Sequence, residues 1–446
     1  MVAACGGGVA IPSPITSHAP PTASPSGNLG DDWPEYHGGP QRSGIGAAEP
    51  AMGSPKLAWS VDVDGHVYAS PLVVGGHVLV ATENNTVYSL DLFTGAPVWK
   101  THLGDPVKSS TLPCGNITPV SGITGTPAVD VKAGRLYVVA FLSGFRHILY
   151  TISLIDGSVV GQQIVDPVGS VPSTQQQRGA LTIGIGYVYV TLGGLFGDCG
   201  AYHGYVVAVP TAGGQALAYK TPVEREAGIW SPAGATADVA GSVYVTTGNG
   251  EPTSTFGYGN SVIRLSPQLR VQSFFAPTNW AQLDAGDVDL GSVGATLLQA
   301  KGLVVAAGKE GVAYVLKAPQ LRGIGGQLAS RKVCDAAFGG TAHSADETTV
   351  WMPCADGLVA LTISPTSIDV AWKVARPRLG SPILAAGVLW AIEPDTATLF
   401  ALDPASGAQL FTLSLGAAEH FSTPAATTGF VIAPAGTRVV AVTTAD

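Results

Sequence analysis

Residues 88–100 read YSLDLFTGAPVWK. An Asp is followed by a Thr-Gly pair, and a Trp stands four residues after the Gly. Upstream, residues 78–91 (VLVATENNTVYSLD) hold two apolar-alternating runs around Glu83-Asn84-Asn85. Period-two alternation marks a half-buried strand, and an Asn pair tolerates positive φ at a hairpin. Asp91 is placed to accept hydrogen bonds from the turn that follows, and Gly95 supplies left-handed backbone. Trp99 sits on the next strand with a large ring to bury. The stretch predicts a β-meander of antiparallel strands closed by a buried Trp. Nothing in it is reactive.

The pattern recurs in degraded form. FALDPASGAQLF (400–411) repeats the Asp, the small-Gly pair and an aromatic four residues after the Gly. SLIDG (153–157) keeps the turn, while AWSVDV (58–63) and VAWKV (370–374) keep the Trp strand. A second mark is a small residue, often before Pro, that opens an inner strand. It occurs at Ser70, Thr126, Gly179, Ser231, Ser292, Thr341, Ser381 and Thr423, with spacings of 56, 53, 52, 61, 49, 40 and 42 residues. Each interval suits one four-stranded blade, so the chain predicts an all-β, eight-bladed β-propeller. Seven blades, with the weak third mark absorbed into a neighbour, is the alternative. The C-terminal GFVIAPAGTRVVAVTTAD supplies the middle of a blade without an outer Trp strand, and AWSVDV is an orphan strand near the N-terminus. Together they would complete one blade and close the ring.

Composition agrees. Of 446 residues only 12% are charged, and Gly and Pro number 58 and 32. Such a mix favours many short strands joined by turns, and no stretch has sustained helical periodicity. The net charge of −9 comes without a basic stripe, which argues against nucleic acid as a partner. No apolar run reaches the length of a membrane span. A Pro/Ser/Thr/Gly-rich tract to about residue 30 reads as a tether (1–30) ahead of a propeller (31–446). Within it, Val2-Ala3-Ala4-Cys5 resembles a bacterial lipobox, which makes Cys5 the candidate lipidation site. The alternative is a short disordered tail with a chance Cys. Cys114, Cys199, Cys334 and Cys354 remain, with no CxxC or CxxCH among them. Their even number favours disulfides in an oxidising compartment. Three pairings are possible, and Cys114–Cys199 with Cys334–Cys354 is the favoured one.

The D-x-x-T-G-x-x-x-W string, the Ser-Pro strand openings and DDWPEYHGGPQRSG (31–44) resemble the PQQ-like β-propeller superfamily. That superfamily includes eight-bladed quinoprotein alcohol dehydrogenases and the lipoprotein propeller of the bacterial outer-membrane assembly machine, which binds no quinone. The resemblance implies the fold and leaves the cofactor open. In the enzymes a Trp floors the quinone, and Trp230 of GIWSPAG stands at a similar point. An Asn that ligates calcium is matched by Asn249 of VTTGNGEP. A general-base Asp is matched by Asp287 of LDAGDVDLGS, with Asp284 and Asp289 beside it. A cation near the quinone oxygens is matched by Lys309 of AAGKEGVAYVL. A calcium-ligating Glu is missing: in GLFGDCGAYHGYVVAV, Cys199 or Asp198 falls in its place.

The resemblance therefore leaves two functions. The leading expectation is a non-catalytic binding or assembly-scaffold propeller of the bacterial cell envelope. It would be extracytoplasmic, monomeric, lipid-anchored rather than membrane-spanning, free of cofactor, and would hold a protein or envelope component on one face. The alternative is a PQQ- and calcium-dependent dehydrogenase of an alcohol or sugar. There Asp287 and Lys309 would be catalytic, Trp230 and Lys309 would hold the quinone, and Asn249, Asp287 and Asp198 would hold the metal. Each of these residues also has a plain structural reading: Trp230 as an inter-blade core ring, Asn249-Gly250 as a tight hairpin turn, Asp287 and Asp289 as loop-shaping groups, and Lys309-Glu310-Gly311 as an exposed turn.

Overall fold

The computed structural model describes residues 31–444 apart from 48, 50 and 377. The Pro/Ser/Thr/Gly-rich tract and Cys5 lie outside the described residues. Eight antiparallel sheets follow one another along the chain. The first blade consists of Leu72–Val74, His77–Ala81, Thr86–Asp91 and Pro97–His102, paired in that order. The next six occupy 128–164, 182–220, 236–276, 296–332, 342–375 and 383–414. The eighth takes Ala425–Thr427, Phe430–Ala435 and Arg438–Thr443, and its outer strand is the N-terminal Lys56–Asp62. Lys56 pairs with Thr443 and Asp62 with Arg438, so the ring closes between the two ends of the described chain.

Burial follows the layers of each blade. The inner strands are buried throughout, as in Val388–Glu393, because neighbouring blades cover both faces. The outermost strands alternate, as in Pro97–His102, because water takes one face. This is why the alternation that reads best in the sequence lies at the rim.

The turn of the opening stretch forms as its residues dictate. Asp91 Oδ1 accepts from the backbone N–H of Phe93 and Thr94 at 3.1 and 2.9 Å and from Thr94 Oγ1 at 2.8 Å. Gly95 has φ +71° and donates its N–H to Asp91 O at 2.8 Å. The Trp does not close its own turn, however; it docks on the turn of the next blade. Trp59 Nε1 donates to Leu92 O at 2.8 Å, Trp99 Nε1 to Leu154 O at 3.1 Å, and Trp372 Nε1 to Pro404 O at 3.1 Å. Each ring covers the turn glycine there, Gly95, Gly157 and Gly407 respectively, where a Cβ would come within 3 Å of ring atoms.

A bulge aims these rings. The register between third and fourth strands slips at Ser89/Leu90, Thr151/Ile152, Ala360/Leu361 and Ala401/Leu402, and the closing strand slips between Leu57 and Trp59. In the Trp-bearing strands the extra residue is Ala58, Val98 or Ala371, immediately before the Trp. One unpaired residue bends the strand and turns the ring toward the neighbouring blade.

At the hub, the small marker residues link inner strands of adjacent blades. Ser70 N–H donates to Thr126 Oγ1 at 2.9 Å, Ser292 Oγ to Ala337 O at 2.7 Å, and Gly340 N–H to Ser381 Oγ at 2.8 Å. Across this hub lies the segment DDWPEYHGGPQRSG. Trp33 pairs with Val73 of the first blade, and Ile45 pairs with Leu384 of the seventh. Between them, buried Arg42 donates to Ala233 O and Ala235 O at 3.1 and 3.2 Å, to Leu181 O at 2.8 Å and to Thr182 Oγ1 at 2.6 Å. The same guanidinium pairs with buried Glu35 at 3.1 Å. One arginine thus ties the third and fourth blades to the strap. His37 stacks on Tyr36 at 4.2 Å and its Nδ1 bonds Thr341 O at 2.9 Å, which reaches the sixth blade.

Two disulfides complete the frame, Cys114–Cys199 and Cys334–Cys354. The first ties the 109–119 connection to the loop at 195–203. The second joins Cys334 to the end of Thr349–Cys354, the second strand of the sixth blade.

Candidate functional site

Loops on one face of the ring enclose a cavity of about 550 Å³. Trp230, Asp287, Asp289, Lys309, Asp198 and Tyr202 are on its wall. Trp230 lies on the segment that enters the fourth blade. Asp287 and Asp289 follow the short helix Trp280–Ala285, and Lys309 stands in the hairpin between Leu303–Ala306 and Val312–Lys317.

Lys309 is the centre of this group. Its Nζ lies 2.7 Å from Asp287 Oδ1 and 2.8 Å from Asp289 Oδ2, and 5.9 Å from the centroid of the Trp230 ring. Burial works against the ammonium, but Asp289 and Asp287 hold its pKa above the ordinary lysine value. Asp289 is buried, which raises its carboxyl; Lys309 and the N–H of Asn249 pull the other way. Asp287 is exposed and sits at φ +51°. Left-handed backbone outside glycine also occurs around the cavity at Asp198, Glu226, Ala227 and Phe421. Such positions persist where surrounding contacts over-determine them.

Asn249 and Asp284 stand behind this wall. Asn249 N–H donates to Asp289 Oδ1 at 2.7 Å, and its Nδ2 donates to Glu226 Oε2 at 2.8 Å. It is not part of a tight hairpin: the connection from Val243–Thr246 to Val262–Leu265 spans 247–261, and Gly250–Glu251 pairs with Arg225–Glu226. Asp284 Oδ1 accepts from Gly250 N–H at 3.0 Å and Asn260 Nδ2 at 2.8 Å. Burial, more than any neighbour, raises Asp284 to about 6.

Sequence reasoning missed Glu226. Burial raises its carboxyl to about 7; Arg225 counteracts this at 2.7 Å, and Glu251, Asp198 and Asp289 add to it. It brings a carboxylate to Asn249 from a segment other than the one around Cys199. Its signal would have been an acid four residues before Trp230 in REAGIW, which looks like an ordinary surface glutamate. Asp198 does not reach Asn249; its Oδ1 accepts from Tyr202 Oη at 2.5 Å.

The calcium expected by resemblance can be tested against these donors. Calcium takes six to eight oxygen ligands. Here Asp287 and Asp289 clamp an ammonium and Asp198 accepts from Tyr202, while the bond from Asn249 to Glu226 uses Nδ2 and not the Oδ1 that a metal would take. Among the described residues, the one group of His, Cys, Asp and Glu ligand atoms that converges is Cys334, Cys354 and Asp356. Its two cysteines are joined in a disulfide. Asp287, Asp289 and Asp198 are thus engaged with Lys309 and Tyr202, whereas Trp230 and Lys309 form a wall against which a flat ring would lie.

Residues 47–254 match the profile of a family described as outer membrane protein assembly factor BamB. The quinohemoprotein alcohol dehydrogenase ADHIIG from Pseudomonas putida HK5 superposes with a TM-score of 0.74 at 14% identity, over 93% of this chain and 80% of that one. The chain has the propeller fold of that structure, and residues 47–254 resemble the family. A europium-containing methanol dehydrogenase gives 0.72 at 14% identity, over 90% of this propeller and 89% of its own chain. BamB from Moraxella catarrhalis gives 0.62 at 12% identity, over 87% and 100%. No curated protein sequence matches the propeller. Its structural neighbours thus include both dehydrogenases and an assembly factor, and at these identities they share its fold.

Proposed function

We propose that this propeller is a non-catalytic binding or assembly scaffold that works outside the cytoplasm and holds its partner at the cavity-bearing face. The observation that carries the reading is the Lys309 clamp. Its ammonium lies between Asp287 and Asp289, so the carboxylate that would serve as a base is already held in an ion pair. The two disulfides and the likeness to BamB support an extracytoplasmic place. Lipid on Cys5 would add the anchor, with one envelope protein or component as partner and the propeller itself a monomer.

A second reading, a PQQ- and calcium-dependent dehydrogenase of an alcohol or sugar, is favoured by one observation: Trp230 and Lys309 meet on the wall of one cavity. The two readings separate in a single experiment. The purified protein is given PQQ and calcium, then methanol, ethanol or glucose with an artificial electron-accepting dye. The scaffold reading expects no calcium-dependent dye reduction. Turnover that needs both PQQ and calcium, and is lost in Trp230→Ala, would overturn it.

A further inference from the structure

The two faces of the ring carry different chemistry. Lys309 and Asp198 stand in connections between second and third strands, which places the cavity on one face. The connections between first and second strands, and between third and fourth, lie on the other. There the turns of the first four blades end in large apolar side chains. Phe93 and Ile155 stand between the third and fourth strands of the first and second blades, and Ile185 and Val239 between the first and second strands of the third and fourth. They are 69%, 87%, 60% and 71% exposed, so none belongs to the core. Turns on this face of the fifth to seventh blades carry Lys301, Asp346, Thr366 and Ser406 instead. The apolar tips therefore form a crescent over one side of the ring.

The crescent is held by its own turns. Phe93 packs edge-on against Phe430 of the eighth blade at 5.8 Å, and Ile185 lies against Gly241 and Pro267 of the fourth. Backbone N–H groups beside the tips already have acceptors. Asp91 caps Phe93 and Thr94, Asp156 Oδ1 accepts from Ser158 N–H at 3.1 Å, and Asp238 Oδ1 accepts from Ala240 and Ser242 N–H at 3.0 and 2.7 Å. Laying such turns on an apolar layer leaves few donors unsatisfied. Three carboxylates at the crescent and a net charge of −9 suit zwitterionic headgroups rather than anionic ones.

The entry of the chain points to the occupant. Thr427 Oγ1 donates to Asp31 O at 2.7 Å, and Gly75 N–H donates to Asp32 Oδ1 at 2.9 Å. Gly75 and Thr427 border turns of the crescent face, and Thr427 pairs with Phe430, the neighbour of Phe93. Residues 1–30 therefore join the propeller on this face. A lipid on Cys5 would be tied to the crescent side and not to the cavity side.

We propose that the crescent is a membrane-docking face. Phe93, Ile155, Ile185 and Val239 enter the headgroup–acyl boundary of a zwitterionic bilayer, to the ~5–10 Å that interfacial side chains reach, and the cavity faces away. Single apolar tips on separate turns suit a fluid surface, whereas a protein partner favours one continuous patch. The inference rests on the reading of the protein as an anchored scaffold outside the cytoplasm, and it names the surface on which the scaffold lies.

Cys5 is the one cysteine outside the two disulfides. The full chain is therefore coupled through it to maleimide-bearing phosphatidylcholine vesicles, in place of a natural lipid. A tryptophan is added by Ile155→Trp on the crescent or by Phe196→Trp at the cavity mouth. Its emission is read as the difference from the wild type, in vesicles with and without brominated acyl chains. The expected result is a blue shift and loss of the added emission on brominated lipid for Ile155→Trp, and neither for Phe196→Trp. Adding Phe93→Ser, Ile185→Ser and Val239→Ser, all at exposed turn positions, should abolish the quenching. An unquenched Ile155→Trp, quenching of Phe196→Trp in its place, or quenching that survives the three serines would each overturn the proposal. Because the coupling replaces the natural anchor, a Cys5 found without lipid in cells would overturn the anchor of the scaffold reading and leave this comparison standing. An unquenched crescent would overturn the docking face and leave the turnover experiment to decide the scaffold reading.

Discussion

Trp99 belongs to the first blade, yet it is Gly157 of the second that it covers. A Cβ added to Gly157 would fall 2.6 Å from Trp99 Cε3, and Gly157 holds φ +71°. The glycine is required twice, once for its backbone and once for the ring. Gly157→Ala combines a left-handed alanine with overpacking, and we expect a loss of roughly 2–4 kcal/mol. Urea unfolding followed by circular dichroism measures it. A loss no larger than that of Gly134→Ala, a left-handed glycine with open space around it, would show that the ring contact contributes nothing.

Arg42 should be among the costliest single charges to remove. Arg42→Met leaves Glu35 buried without its partner and breaks the link between strap, third blade and fourth blade. The expected cost is about 3–5 kcal/mol near neutral pH. Burial already raises Glu35 to about 7 even with Arg42 beside it. A lone Glu35 is neutral at pH 5, so the variant's deficit should shrink from pH 8 to pH 5. A pH-independent deficit in chemical denaturation would contradict the account.

Glu83 gives a pH dependence of defined sign. Burial, more than any neighbour, raises its carboxyl from 4.5 to about 7. Between those values the folded chain binds a proton that the unfolded chain has released. This contribution is fully present below pH 4.5 and is lost as the pH rises toward 7, at about 1 kcal/mol per unit. Glu83→Gln lacks this slope. The variant should therefore gain on the wild type between pH 5 and pH 7 in parallel denaturation series. A constant difference would refute it.

The Cys114–Cys199 bridge closes 85 residues of sequence and Cys334–Cys354 closes 20. Chain entropy makes the longer loop the more stabilising, at roughly 4–5 against 3 kcal/mol. Replacing each pair by Ser, with unfolding of both variants measured under oxidising conditions, should reproduce that order.

Much of the fold was legible because it is local. A turn of Asp and Gly is fixed by φ and by side-chain caps within a few residues, while the Trp that follows it packs on the turn of the next blade. The site was legible only as a set of residue types. Trp230, Asp287 and Lys309 do meet at one cavity, but the sequence places Lys309 in an exposed turn or beside a quinone. The structure clamps it between two carboxylates. Glu226 and Arg178 carried no signal, since their weight comes from burial that distant blades impose. The bulges before Trp59, Trp99 and Trp372 left none either, because one unpaired residue does not disturb the pattern enough to be read.

The sequence by itself determined the period, and it favoured eight blades over seven and a ring closed by residues near the N-terminus, because strand alternation and turn chemistry depend on neighbours along the chain. Tertiary structure decided which polar groups face one another: Arg42 with Glu35 at the hub, Asn249 with Glu226 behind the wall, and Arg178 with the imidazole of His420. Charge interactions depend on distance and on exclusion of water. In a ring of eight blades both are set by loops from separate repeats, which sequence spacing does not encode.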